Sequence, residues 1–335
     1  MTQGSHAARI LVTGGAGYIG SVVVDQLLER GFRVVVLDDL SAGHRQAVAR
    51  GAGFVQGGVG NNELVGALLR EERIEAIIHL AAFALVSESV AQPRKYVTNN
   101  VTAARVLLEA AVRAKVRRFV FSSSCAVYGT PATIPITEDS PLEPVNPYGE
   151  TKRDFERLLA EMGPKQGMGV VSLRYFNASG TTEQRGEDHD PETHLIPNVL
   201  AAAIGKREAL EVYGTDYPTA DGTAVRDYVH VTDIADAHLR ALDVKLDGDS
   251  AVAVNLGTGA GLSVREVVAA ARRVTGRTVP TVERPRRPGD PPELVAAVGR
   301  AREVLGWRAS HSSLEEILDS AWRWHQAHPH GYRGG

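Results

Sequence analysis

Apolar residues occur along this chain in short unbroken runs, each closed by glycine or an acid and followed by a stretch with helical spacing. Arg9-Ile-Leu-Val-Thr13 ends in glycines, Tyr18 to Arg30 carries apolar residues at helical spacing until Gly31, and Arg33-Val-Val-Val-Leu37 is closed by Asp38 and Asp39. The pattern predicts strand, turn, helix and a second buried strand. It then repeats, with runs at Phe54-Val55, Ala76-Ile-Ile-His79, Arg118-Phe-Val-Phe-Ser122 and Val170-Val-Ser-Leu-Arg174, and helical stretches such as Tyr96 to Ala114 between them. Strands without polar alternation are buried on both faces, so the order predicts an α/β protein with a doubly wound parallel sheet covered by helices.

After about Thr181 the character changes to polar loops, 181–192 and 214–222, and a Pro/Arg-rich stretch from Glu283 to Pro292. We therefore expect a large unit over 7–180 and a smaller α/β unit over 181–330, with parts of 225–258 returning to the first. Tyr228 to Val244 and Val252 to Asn255 read as the helix and strand of that return, and Ser313 to Gln326 as a closing amphipathic helix.

The chain has 335 residues, 43% of them hydrophobic and 23% charged, which excludes wholesale disorder and suits one large domain with an appendage. Lys plus Arg (37) against Asp plus Glu (40) gives a net charge of −3 with no block of one sign, so neither nucleic acid nor a membrane surface is expected as partner. Cys125 is the one cysteine, which excludes an internal disulfide and a multi-cysteine zinc site and suits a reducing cytoplasm. Met1 to Arg9 has neither the basic flank nor the apolar run of a signal peptide, and no stretch approaches the about 18 apolar residues that span a bilayer. Gly4-Ser5-His6 has the look of a cloning remnant and is left out of the fold.

The turn Gly14-Gly-Ala-Gly17-Tyr-Ile-Gly20 lies between the first strand and the first helix, where amides face an anion at the helix N-terminus, and a dinucleotide pyrophosphate is the natural ligand. Tight backbone packing alone also explains such a turn. Asp38 changes the balance: it ends the second strand, where a carboxylate accepts hydrogen bonds from a ribose diol, and no arginine directly follows to take a 2′-phosphate. NAD is thereby favoured over NADP, the alternative for Asp38 being a solvated acid at a strand end.

Tyr148-Gly-Glu-Thr-Lys152 opens a helix after Pro147, and residues four apart share a face, so an ammonium lies beside a phenol. A free phenol releases its proton near pH 10 (about); the ammonium, with a positive nicotinamide, draws that value toward working pH and suits the pair to proton abstraction. Ser122-Ser-Ser124 ends the fifth strand, on the side of an open sheet where ligands bind, and Ser124 can join a substrate hydroxyl and Tyr148. Each motif alone is common, the serines in turns and Tyr-x-x-x-Lys on surface helices; their placement together is what points to one site.

Thr13-Gly-Gly-Ala-Gly-Tyr-Ile-Gly20, Ser122-Ser-Ser-Cys-Ala-Val-Tyr-Gly129, Pro147-Tyr-Gly-Glu-Thr-Lys152, Arg174-Tyr-Phe-Asn177 and Arg226-Asp-Tyr-Val-His-Val231 together strongly resemble UDP-glucose 4-epimerases, of the extended short-chain dehydrogenase/reductase superfamily. The likeness covers nearly the whole chain. It implies a Rossmann domain for tightly held NAD, a smaller C-terminal domain for the UDP-sugar, and a cytoplasmic homodimer. It implies a cycle in which Tyr148 takes the C4 hydroxyl proton while hydride passes from C4 to NAD, and the 4-keto sugar turns and is reduced on its other face. Ser124, Tyr148 and Lys152 would be catalytic. Gly14, Gly17, Tyr18, Ile19, Gly20, Asp38, Asp39, Leu40, Ser41, Gly43, Gly58, Val59, Leu80, Ala81, Ala82, Ala84, Asn99, Ser122, Tyr148, Lys152 and Phe176 would line NAD. Ser124, Tyr148, Asn177, His194, Leu195, Tyr213, Arg226, Arg287, Asp290 and Leu294 would line the sugar nucleotide, the two arginines suiting a diphosphate. No metal is implied.

Departures from the family pattern are local. Gly58-Val59 stands where an acid usually meets adenine, Ala84 where some members have lysine, Ala297 where an acid is common, and Leu294 where tyrosine or a smaller residue sets the room for the sugar. Leucine is intermediate, which leaves 4-epimerisation of N-acetylated sugars or hexuronates as the alternative. Nucleotide-sugar dehydratases carry Asp-Glu after the Ser/Thr and decarboxylases a glutamate at the second position; Cys125-Ala126 supplies neither. A catalytically idle NAD-binding sensor is a further alternative, opposed by the presence of Ser124, Tyr148 and Lys152.

Overall fold

Strands and helices alternate through the first half: β1 (Arg9–Thr13), α1 (Tyr18–Glu29), β2 (Arg33–Asp38), β3 (Gly53–Gln56), α2 (Asn62–Glu71), β4 (Ala76–His79), α3 (Val86–Ala91), α4 (Pro93–Tyr96), α5 (Ala104–Arg113), β5 (Arg118–Ser124), α6 (Pro147–Met162) and β6 (Gly169–Tyr175). This computed structural model describes residues 8–246, 250–287 and 289–334, so Gly4-Ser5-His6 lies outside the described residues. The second half continues with β7 (Asn177–Ser179), α7 (Leu195–Ala203), β8 (Leu210–Tyr213), β9 (Val225–Arg226), β10 (Tyr228–His230), α8 (Val231–Asp243) and β11 (Ala251–Leu256). It closes with β12 (Leu262–Ser263), α9 (Val264–Thr275), β13 (Thr281–Arg284), β14 (Glu293–Leu294), α10 (Gly299–Leu305) and α11 (Leu314–Ala327).

The central sheet has seven strands in the order β3-β2-β1-β4-β5-β6-β11, all parallel. Alternate residues of a strand face opposite sides, and here they feed two cores. Ile10 and Val12 pack under α1 and α8, while Leu11 packs under α2, α5 and α6. Strand order reverses between β1 and β4, the switch point at whose carboxyl side open α/β sheets bind ligands. The architecture is Rossmann-type, as expected, and β11 ends the sheet, pairing with β6 from Ala251↔Val170 to Leu256↔Tyr175. Ala301, Leu305 and Trp307 pack in the core that holds Ile10 and Val12.

The remaining elements form a separate core of α7, α9 and α11 around Val199, Leu200, Val267, Ile317 and Leu318, beside a β8–β13 pair and a β12-β9-β14 sheet. No helix among the described residues is long and apolar enough to cross a membrane. The helix expected over Tyr96–Ala114 is not uniform: Val97–Ala103 is π-helical. Its Val-Thr-Asn-Asn-Val-Thr run consists of poor helix formers, and Asn100 there is turned inward, its Oδ1 accepting from Phe83 N at 2.9 Å and its Nδ2 donating to Phe83 O at 2.9 Å and Thr151 Oγ1 at 3.2 Å.

Candidate active site

The glycine turn sits at the switch point. Gly14 has φ +75°, and a Cβ on it would lie 2.6 Å from Ala81 N; a Cβ on Gly20 would lie 2.1 Å from Gly14 O. Leu80, Ala81 and Ala82 follow β4 directly against this turn, Leu80 N donating to Thr13 O at 3.0 Å. α1 begins after Gly17 with no side chain capping it, so the amides of its first turn keep their capacity for an anion. Asp38 is buried at the end of β2, accepting from Ala16 N and Leu40 N at 2.9 Å each. Burial raises its pKa against the pull of those two amides. Asp39 accepts from Ser41 N at 2.9 Å, Leu40 has φ +62°, and Gly43 lies so close to Ala16 that a Cβ would come within 2.8 Å of its oxygen. The 38–44 strap therefore lies directly along the turn.

Other expected cofactor residues divide. Tyr18 turns its phenol away, donating to Gly180 O at 2.5 Å, which leaves its main chain for a cofactor. Gly58 is exposed with open space around it, whereas the Val59 side chain is in the core. Ala84 is exposed, and Asn99 donates to Asn100 Oδ1 at 3.1 Å. Nothing in the structure explains Ala297 beyond its amide, which donates to Ile136 O at 2.8 Å.

Ser124, Tyr148 and Lys152 come together because β5 extends two residues past its apolar run, Ser122–Ser124 pairing with Leu173–Tyr175. α6 then starts at Pro147 with Asn146 Oδ1 accepting from Gly149 N at 2.9 Å. Gly149 allows the approach: a Cβ there would lie 2.4 Å from Ala126 O. Ser124 acts on the Tyr148 phenol to lower its pKa, and its Oγ accepts from Ala126 N at 3.2 Å. Lys152 is buried, 5.7 Å from the Tyr148 ring centre, with Nζ donating to Ser122 O at 2.7 Å. The expected lowering of Tyr148 is not what the protein environment produces: burial pushes the phenol up to about 12, Ser124 offsetting part. Burial also pulls Lys152 down to about 7, Glu156 offsetting part.

On the other wall, Phe176 is buried and donates its amide to Leu256 O at 3.1 Å, and Asn177 N donates to Asp227 O at 2.9 Å. Leu294 is packed with Cys125, Tyr128 and Phe176 and stands in register with Arg226, which sets the β9–β14 pair beside Ser124. Arg226 pairs with Asp290 and donates to Val225 O at 2.7 Å and Pro291 O at 2.8 Å. Arg287 stacks 4.0 Å from the Tyr213 ring centre. Leu195 opens α7, and His194 before it faces Glu187 and Glu192. Burial opposes charge in that group, yet mutual ion pairing holds the carboxylates below and His189 and His194 above their ordinary values.

Residues outside the expected set hold this site in place. Asn100 ties the π-helical turn to α6 through Thr151. Asp227, fully buried, accepts from Thr258 N, Thr258 Oγ1, Gly259 N and Ala296 N at 2.7–3.2 Å. The sequence signal for Asp227 was its place in the Arg226-Asp-Tyr segment; for Asn100 it was only adjacency to Asn99.

The fold and site are those of a nucleotide-binding α/β enzyme of the short-chain dehydrogenase type. The sequence model described as "NAD dependent epimerase/dehydratase family" matches residues 10–257. The UDP-glucose 4-epimerase of Lactobacillus helveticus is 48% identical over 326 residues, covering 97% of this chain and 99% of that one. The crystal structure of UDP-glucose 4-epimerase from Brucella ovis in complex with NAD superposes with a TM-score of 0.91 at 45% identity, covering 97% and 99% of the two chains. That of the Bifidobacterium longum enzyme in complex with NAD+ and UDP gives 0.92 at 36% identity, covering 97% and 100%. The chain belongs to the NAD-dependent epimerase/dehydratase family and, within it, to the UDP-glucose 4-epimerases.

Proposed function

We propose that this protein is an NAD-dependent 4-epimerase interconverting UDP-glucose and UDP-galactose through a 4-keto sugar. Beside family membership, the observation that carries this reading is a site equipped to oxidise a hydroxyl reversibly and to do nothing more. Ser124 and Tyr148 stand at the end of β5, but Cys125 next to them is a packing group: it is buried with Leu294, and burial pushes its thiol up to about 12. Elimination of water would need an acid there.

The turn from Gly14 to Gly20, the uncapped start of α1 and Asp38 fit NAD. Bound, the oxidised cofactor supplies a hydride acceptor at its nicotinamide and a positive charge beside the phenol. Tyr148 takes the C4 hydroxyl proton onto its phenolic oxygen and later returns it, while Ser124 orients that hydroxyl. Lys152, anchored on Ser122 O, favours the phenolate and holds the nicotinamide ribose. Arg226 and Arg287 take the diphosphate, exchanging the present Asp290 contact of Arg226 for phosphate oxygens. Asn177, Leu195, Tyr213 and Leu294 shape a chamber in which the keto sugar turns to present its other face. In this reading residues 7–180 hold NAD and 181–330 the sugar nucleotide, with parts of 225–258 returning to the NAD unit. A cytoplasmic homodimer is the assembly that the family resemblance supports.

The deciding experiment incubates the purified protein separately with UDP-glucose, UDP-galactose, UDP-N-acetylglucosamine and UDP-glucuronate, without added NAD, and identifies products by NMR. Interconversion of the first two is expected. Conversion of the N-acetylated sugar or the hexuronate alone would move the substrate, and no product even after NAD is added would overturn the reading.

A further inference from the structure

The loop between β7 and α7 gathers four groups able to ligate a cation: Glu187, His189, Glu192 and His194, spaced Glu-x-His-x-x-Glu-x-His. One donor atom from each lies within 4.8 Å of all the others. His194 Nδ1 is 2.8 Å from Glu187 Oε1 and 2.8 Å from Glu192 Oε1. His189 Nδ1 is 3.3 Å from Glu187 Oε1 and 3.6 Å from Glu192 Oε2. A tetrahedral ion with bonds of about 2.0–2.1 Å holds its ligands about 3.3–3.4 Å apart, and these distances straddle that value.

An independent feature of His189 points to the same centre. Its Nδ1 is buried and, despite the two carboxylates beside it, meets hydrogen-bond geometry with neither. It lies 3.3 Å from one carboxylate and 3.6 Å from the other, within reach of an ion held by both. Glu187, only 5% exposed, places a carboxylate where a fixed positive partner is needed.

We propose that these side chains form a closed structural site for a divalent first-row transition metal, zinc being the best fit. Two imidazole nitrogens and two carboxylate oxygens in four-coordination suit Zn2+ and not Ca2+ or Mg2+, which demand six or more ligands, mostly oxygen. With four protein ligands the ion has no open position for substrate, so it acts on structure. Its place gives it leverage. The Tyr18 ring meets His189 edge-on at 6.2 Å, His44 Nε2 on the strap after β2 donates to Asp188 O at 3.0 Å, and Asp188 Oδ2 accepts from Tyr332 N at 3.0 Å. The ion would fix the start of α7 against the glycine turn, the strap and the C-terminal segment together.

The full chain, purified without metal-affinity resin and stripped with chelator, is given one equivalent of Zn2+ or Co2+, passed through gel filtration and assayed for bound metal. Expected are one metal per chain, the intense visible absorption of four-coordinate Co2+, and a melting temperature raised by a few degrees on Zn2+ addition. His189→Ala combined with Glu192→Gln should lose all three responses. Glu192→Gln alone, which preserves shape, should raise the Zn2+ dissociation constant about tenfold or more while circular dichroism stays native. A metal-free wild type, a six-coordinate cobalt spectrum, or equal retention by the double variant would overturn the proposal. These readouts are independent of epimerase activity.

Discussion

The ammonium of Lys152 donates to the main-chain carbonyl of Ser122 at 2.7 Å, tying the lysine to the strand that carries Ser124. A carbonyl and the Phe121 ring, 5.0 Å away, compensate a buried cation less than a carboxylate would, which is why burial wins and brings Lys152 down to about 7.

That depression sets a pH dependence of stability. Between the folded value of about 7 and the ordinary value of 10.5, the unfolded chain binds a proton at Lys152 that the folded chain has released. This group therefore makes stability rise with pH across that window, with its full penalty present below it. Lys152→Met removes the penalty, so the variant should be the more stable at pH 6, and its advantage should shrink by roughly 1 kcal/mol per pH unit between pH 7 and 9. Denaturant unfolding of both proteins across this range measures the gap; a constant gap would show that Lys152 stays charged in the fold.

Tyr148→Phe removes the buried phenolic oxygen and little of the packing. Turnover should fall by at least about 100-fold, the scale of general acid–base catalysis, with NAD content after purification unchanged. Product formation and the nucleotide released on denaturation check the two halves separately, and near-normal turnover would discard the role given to Tyr148.

Much of this was legible because parallel strands buried on both faces write themselves as unbroken apolar runs, and because the glycine turn, the serines ending β5 and the Tyr-Lys spacing are each local. What depends on distant chain was not legible. Asp227 collects donors from residues 258, 259 and 296, and nothing beside it announces them. For Tyr148 the spacing reveals the neighbouring ammonium, whereas the burial that raises the phenol comes from the whole fold. The π-helical turn likewise follows from Asn100 reaching Phe83 and Thr151, not from helical propensity alone. Of the loop before α7, only His194 and Leu195 stood out, as possible walls of the sugar site, and the carboxylates that face His194 did not.

Asp227→Asn tests whether that buried carboxylate sets the sugar wall. The amide keeps the shape but has one accepting oxygen, so the donors on the other side are orphaned, at about 1–3 kcal/mol for each. The melting temperature should drop, and because Ala296 N is one of those donors and β14 carries Leu294 beside Arg226, KM for the UDP-sugar should rise more than kcat falls. A lower kcat at unchanged KM would place the effect at the reacting centre instead.

Leu294 is where substrate range should be adjustable. It is buried in one cluster with Cys125 and Phe176 and is the strand partner of Arg226, the arginine assigned to the diphosphate. Shortening it opens volume without touching a hydrogen bond. Leu294→Ala should raise the ratio of kcat/KM for UDP-N-acetylglucosamine over UDP-glucose by about 10-fold, at a stability cost of about 2–5 kcal/mol from the cavity left behind. The two effects separate cleanly, since a general loosening would lower kcat/KM for both sugars alike; a ratio equal to that of the wild type would mean that Leu294 packs the wall without limiting what it admits.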